Sequence, residues 1–269
     1  MNLNNAMLVV VLLVAFALPA VGEIDLTTGQ EAIHYPTVPL PEGRQDYMRV
    51  LWDITHGVYM SNQPDANYSD LITYLIAGGY SVSWTSHGIH NINLLQYDVL
   101  VIAVTTSWNS PYTAPEVAAV ENFLANGGGL LVMGDNPNCP CEHINPITQA
   151  FGTTTGTAII NPPDLYFSSW YPRQIFSGVS QLYFRAAGAL SYTAPSVEAA
   201  CTNFAGETVI TIYEPCKMIV TADGNFCDNQ HLHTVDNLPF ILNVFACLAG
   251  DHPIPTQNTT WGEVKANFR

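Results

Sequence analysis

Hydrophobic positions along this chain repeat in two distinct ways, and the two ways alternate. Short unbroken apolar runs come first: Val50-Leu-Trp within Arg49–Asp53, Val99-Leu-Val-Ile-Ala-Val104 within Tyr97–Val104, and Leu130-Leu-Val-Met133. Such runs predict strands buried on both faces, as in a sheet covered by helices on each side. Between them the apolar residues shift to helical spacing. Leu71, Ile72, Leu75 and Ile76 make one face of a helix over Tyr68–Ala77, with Asn67 or Ser69 at its start and Gly78-Gly79 at its end. Val117, Val120, Phe123 and Leu124 make another, opened by Thr113-Ala-Pro-Glu116 and stopped by Gly127-Gly-Gly129. Tyr80–Trp84 alternates as a strand does. The order is strand, helix, strand, strand, helix, strand, which predicts a mostly parallel, doubly wound, flavodoxin-like α/β sheet.

The second half reads differently. Asn145–Phe151 predicts a short helix, and 159–174 reads as an aromatic loop. Leu190–Tyr192, Val197–Thr202, Val209–Tyr213 and Met218–Ala222 read as strands, the last two joined by a hairpin turn at Glu214-Pro-Cys216. Extra antiparallel strands are therefore expected here. A final helix spans Asp236–Leu248, with Leu238, Ile241, Leu242, Phe245 and Leu248 inward and Gly250 as its stop.

The ends change the picture. Met7–Ala20 is almost wholly apolar, no charged side chain precedes Glu23, and Ala20 and Gly22 suit a cleavage site. The run predicts a secretory signal peptide over 1–22, with an uncleaved anchor as the other reading. The expected organisation is then a leader over 23–48, an α/β domain over 49–250 and a polar tail over 251–269 holding Trp261. After signal removal no membrane span is expected. Seven basic against 22 acidic residues, a net charge of −15, exclude a nucleic-acid partner, which needs clustered Lys and Arg. Secretion, into a periplasm or to a cell surface, permits disulfides among the six cysteines. Cys201–Cys216 is the favoured pair because the two flank a strand. Cys139 or Cys141 with Cys227 is a second, and Cys247, in an apolar helix, is expected as a free thiol.

Four segments together carry a family resemblance. They are Val50-Leu-Trp-Asp-Ile-Thr-His-Gly57, Tyr97-Asp-Val-Leu-Val-Ile102, Phe123-Leu-Ala-Asn-Gly-Gly-Gly-Leu-Leu-Val-Met-Gly-Asp135, and Met218–Phe226 followed by Asp236-Asn237 and Asn243–Gly250. In that order the chain resembles an exported family of unknown function with a class I glutamine amidotransferase-like fold, more distantly the trehalose-utilisation proteins. The resemblance implies the fold over roughly Arg49 to Gly250, and it implies where a nucleophilic Cys would stand. That turn here is Met133-Gly134-Asp135-Asn136, without a Cys, and the late His231 and His233 have no Glu beside them. Glutamine amidotransferase activity is not expected.

Candidate chemistry gathers where strands end, since open α/β sheets bind ligands beyond their carboxyl ends. Asp53 and His56 follow the first strand, Asn109 the third, and Asp135 the fourth. Asp223, Asp228 and Asn229 follow a later one, and Asp236-Asn237 opens the last helix. On one shared rim they make a polar site for a carbohydrate, a peptide or a hard cation, calcium suiting the oxygen ligands better than zinc, and another surface protein is the remaining partner expected. As separate residues they are caps and turns. A hydrolase pairing Asp53 and His56 with Asp135 or Asp223 is the catalytic alternative, and a surface-assembly component docked through the Trp261 tail is the structural one. Cys139-Pro-Cys-Glu-His143 admits a disulfide, a thiol nucleophile based on His143, or a zinc site with His231 or His233, although the Cys spacing suits zinc poorly. Tyr166–Tyr171 is aromatic enough to stack on sugars or to pack over the core. No dinucleotide, phosphate-loop or Gly-x-Ser-x-Gly motif is present, so no cofactor is expected.

Overall fold

The computed structural model describes residues 47–58, 63–104, 110–171, 173–193 and 195–250. The signal-like run, the leader up to residue 46, Asn109 and the tail from Asp251 lie outside the described residues. Eleven strands and four α-helices make up the rest in a mixed α/β fold. The strands are β1 (Met48–Asp53), β2 (Tyr80–Thr85), β3 (Val99–Ala103), β4 (Gly129–Met133), β5 (Thr153–Thr154), β6 (Asp164–Phe167), β7 (Leu182–Arg185), β8 (Ser191–Tyr192), β9 (Val197–Thr202), β10 (Thr208–Tyr213) and β11 (Met218–Thr221). The helices are α1 (Ser69–Ala77), α2 (Ala114–Ala125), α3 (Asn145–Ala150) and α4 (Asn237–Leu248).

A seven-stranded sheet in the order β2-β1-β3-β4-β11-β10-β9 forms the centre. The β2, β1, β3, β4 and β11 neighbours pair in parallel, while β10 pairs antiparallel with β11 and with β9. The hydrophobic runs explain the parallel part: every residue of β3 and β4 is buried, as strands covered on both faces require. From β1 the chain steps outward to β2 through α1, and from β3 it steps the opposite way to β4 through α2. Right-handed crossovers then place α1 and α2 on opposite faces of the sheet, with the switch point between β1 and β3. One close approach fixes the packing of α4. A Cβ on Gly129, at the start of β4, would lie 2.2 Å from the Leu248 carbonyl oxygen, so only glycine lets the end of this helix sit there.

Several expectations change. The stretch 159–174 is not all loop: β6 lies within it and pairs antiparallel with β7, a strand the sequence pattern missed. Its inner residues Leu165 and Phe167 are buried, and Phe167 meets Phe184 edge-on at 5.3 Å, so four residues of alternation suffice once a partner ribbon is present. The disulfide is Cys216–Cys247, with Cα atoms 5.4 Å apart, not Cys201–Cys216. Strand register gives the reason. Val197 pairs with Tyr213 beside the hairpin turn that holds Cys216, whereas Cys201 pairs with Ile210. Cys201 is therefore four residues up β9, roughly 13 Å from that end of the ribbon. Cys139, Cys141, Cys201 and Cys227 are buried free thiols. The Cys227 sulfur faces the Met133 sulfur at 3.5 Å while Cys141 donates to the Asp135 carbonyl at 3.2 Å, so neither is turned to a bridge. Cys247, expected free, is the bonded one.

The bridge ties the β10–β11 turn to the end of the last helix and closes a 31-residue separation. Four thiols are expected to react after unfolding without reductant, and six with it. A Cys216→Ser, Cys247→Ser double variant is expected to lose about 3–4 kcal/mol of unfolding free energy, measured by denaturant titration.

Candidate functional site

At the switch point the end of β1 builds a small buried network. Asp53 is buried, and its carboxylate accepts from the Thr55 amide at 2.8 Å and from the Tyr112 hydroxyl at 2.7 Å. Burial pushes its carboxyl above the ordinary value of 3.8, against those hydrogen bonds. His56 stacks obliquely on Tyr112, with ring centroids 4.2 Å apart. Its Nδ1 lies 2.7 Å from the Ser110 carbonyl oxygen and its Nε2 lies 3.0 Å from Glu116 Oε1. A carbonyl only accepts, so Nδ1 donates, and one further proton is shared across the Nε2–Oε1 contact.

Glu116 is the functional-looking residue that the sequence reading passed over. It sits in the first turn of α2 and is almost fully buried. Its Oε2 accepts from the Thr113 amide at 2.8 Å and from the Thr113 hydroxyl at 2.7 Å. Burial works to raise the Glu116 carboxyl, but the Thr113 and His56 hydrogen bonds prevail and hold it below its ordinary 4.5. The Thr-x-x-Glu spacing is a capping-box signature, so this carboxylate's first role was legible; its second partner, His56, was not.

A second group lies where β4 and β11 end side by side. Met133 pairs with Thr221, and two residues on, Asp135 and Asp223 follow them. Asp223 is fully buried and accepts from the Arg185 amide and the Asn225 amide, each at 2.8 Å. Burial, then the Asp135 charge, pushes its carboxyl well up. Asp135 is tied to the Asn136 amide at 2.7 Å, and burial raises its carboxyl from 3.8 to about 6. The segment after β7 roofs this corner. Gly188 donates to the Ala222 carbonyl, Asn136 donates to the Ala186 carbonyl, and a Cβ on Gly188 would stand 2.3 Å from the Asp135 carbonyl oxygen. No non-glycine residue at 134–136 has a positive φ, so the strained elbow that exposes a nucleophile is missing as well as the Cys.

The remaining candidates separate. Asp228 accepts from His231 Nδ1 at 2.8 Å and from the Gln230 and His231 amides. Asn229 caps α1 from a distance: its side-chain oxygen accepts from the Asp70 amide at 3.0 Å, where Asn67 or Ser69 had been expected to cap. Asp236 does not cap α4 through its side chain. Its carboxylate instead accepts from the Ser180 and Gln181 amides, at 2.7 and 3.0 Å. Asn237 is fully buried and brackets Tyr183 through both its amide and carbonyl while also reaching Phe226. The expected single rim is thus divided among the switch-point network, the roofed Asp135–Asp223 corner and four further residues, Asp228, Asn229, Asp236 and Asn237, each bonded to partners of its own.

Burial holds the Cys141 thiol at about 11 and the Cys201 thiol at about 12, which keeps both protonated near neutrality and unsuited to nucleophilic attack. Among the described residues no group of three or more His, Cys, Asp or Glu is arranged to hold a metal ion. A groove of about 550 Å³ opens at the opposite end of the sheet, among Ile175, Val197, Ile212, Pro215 and the Cys216–Cys247 bridge. It touches none of the carboxylates or histidines singled out in the sequence.

No family model matches the chain, and no curated protein matches it in sequence. Solved structures do. The mmIFT52 N-terminal domain superposes with a TM-score of 0.65 at 17% identity, over 75% of this chain and 98% of that one. A ThuA-like protein from Bacteroides uniformis superposes with a TM-score of 0.50 at 14% identity, over 78% and 95%. Both share this chain's mixed α/β fold, which is therefore ThuA-like. At such identities the likeness extends to the fold and no further.

Two measurements check the electrostatics. A carboxyl raised in the folded state stabilises most below its unfolded value and loses that contribution as pH rises through the folded value. Unfolding free energy is thus expected to fall between pH 4 and 7, with Asp135 supplying at most roughly 3 kcal/mol of the drop. Asp135→Asn should flatten this limb without abolishing it, because Asp53 and Asp223 shift the same way. Glu116 has the opposite sign, stabilising above its unfolded value and failing as pH falls through its folded one. His56→Ala, which removes the nearest partner of Glu116 Oε1 while Thr113 still holds Oε2, should cost about 1–3 kcal/mol at pH 7 by denaturant titration.

Proposed function

We propose that this chain is an exported, non-catalytic binding module built on an amidotransferase-like scaffold, with its folded unit over residues 49–250. One observation carries the reading. The turn that the resemblance matches to the amidotransferase nucleophile turn, Met133–Asn136, holds no Cys and is covered by the chain's own Arg185–Gly188 backbone. The carboxylates beneath it are consumed by amide donors and held toward the protonated form by burial. Both carboxylates lie under that backbone, and no substrate atom reaches them without displacing the roof. Support for export comes from the apolar Met7–Ala20 run and from a disulfide of the kind that persists in oxidising compartments. Among the described residues no helix is long and apolar enough to cross a membrane.

The test has two arms. Expressed in an export-competent host, the chain should leave the cytoplasm and by intact mass should lack residues 1–22. The purified protein should turn over neither glutamine nor chromogenic glycosides nor peptide amides. Turnover that disappears in an Asp53→Ala, His56→Ala double variant would replace the binding reading with the hydrolase one. Retention in the cytoplasm with an intact N-terminus would remove the exported part.

A further inference from the structure

The β6–β7 ribbon presents two unlike faces. Strand register pairs Asp164 with Arg185, Leu165 with Phe184, Tyr166 with Tyr183 and Phe167 with Leu182. Side chains alternate across a ribbon, so Leu165, Phe184, Phe167 and Leu182 share the inner face and are all buried. The other face carries Asp164, Tyr166, Tyr183 and Arg185, of which Tyr183 is buried and the other three are exposed. The Tyr166 and Tyr183 rings lie 5.0 Å apart, and the His231 ring continues the row 5.4 Å beyond Tyr183. Tyr166 is 48% exposed, which leaves one broad aromatic surface open at the end of the row.

Polar groups border that surface and are held in place. The Tyr183 hydroxyl donates to Asp164 Oδ1 at 2.6 Å, and the other Asp164 oxygen has no donor among the described residues. His231 Nδ1 donates to Asp228, whose Oδ1 also accepts the Gln230 and His231 amides, and its Nε2 is turned toward the Arg185 side chain. The exposed Arg185 guanidinium stands 3.5 Å from that nitrogen, while the Arg185 amide is anchored on buried Asp223. The result is a fixed ring row with an acceptor, a forked donor and an imidazole at its margin.

We infer that this face is a saccharide-binding platform, with Tyr166 stacking on a pyranose ring and Asp164, Arg185 and His231 meeting its hydroxyls. This rests on the binding-module reading and names the ligand class for it. A sugar offers an apolar C–H face and a dense border of groups that both donate and accept. An open tyrosine framed by a carboxylate and a guanidinium complements both. A protein partner would want a wider apolar centre, on the order of 800 Å² per side, than one open ring supplies.

The test uses the purified mature protein with cello-, manno- and chito-hexaose, followed by saturation-transfer NMR and calorimetry. At least one of these should bind, with saturation transferred from tyrosine protons. Tyr166→Ala should weaken it at least tenfold, Arg185→Leu several-fold, and Tyr166→Phe, which keeps the ring, less than threefold. Tyr166 is half exposed, so unchanged far-UV dichroism and melting in the variants should accompany the loss. Binding that Tyr166→Ala leaves intact, or no binding of any of the three, overturns the platform. Cleavage of a bound hexaose would overturn the non-catalytic reading instead and leave the platform standing.

Discussion

A single carboxylate without solvent organises the functional end of this fold. Asp223 leaves β11 fully buried and reaches the amides of Arg185 and Asn225. An unpaired polar group there would cost several kcal/mol, so the two amides are obligatory partners and not incidental ones. By holding the Arg185 backbone, Asp223 sets where β7 ends and where the chain turns down across the Asp135 corner. The same hold orients the ribbon so that its inner phenyl and leucine residues meet the core and Tyr166 is left exposed. Ribbon and roof are joined at one interaction that no strand-by-strand description contains.

The parallel half was legible because its constraint is simple. A strand covered on both faces must be apolar throughout, and Val99–Ala103 and Leu130–Met133 are. The antiparallel ribbon was not, since Asp164-Leu-Tyr-Phe167 alternates over only four residues within an aromatic stretch, and its meaning appears only beside Leu182–Arg185. The disulfide failed for a related reason. Cys216 and Cys247 are joined by the descent of α4 across the sheet, a tertiary fact invisible in spacing. Asp53 and His56 were found as residues, but their meaning came from Tyr112 and Glu116, which arrive from another element. Asp236 shows the opposite error: it stands at a helix start, and the local rule says cap, yet a loop from elsewhere presents better donors.

The switch-point network and the roofed corner show two ways of burying acidity. At the first, hydroxyl, amide and imidazole donors outweigh burial and keep Glu116 below its ordinary value. At the second, amide donors alone do not, and Asp135 and Asp223 rise. Asp53, in the first network, rises as well despite its hydroxyl and amide donors, so depth of burial and donor set decide the direction together.

The roof also has a consequence for competition. A segment covalently joined to the cavity it covers acts as a ligand at very high effective concentration, and no free solute dilutes it away. A small molecule seeking the Asp135 corner would have to outbid a tethered rival that is always present. Mutation of the roof, rather than of the carboxylates, is the step by which this corner would be opened to solutes.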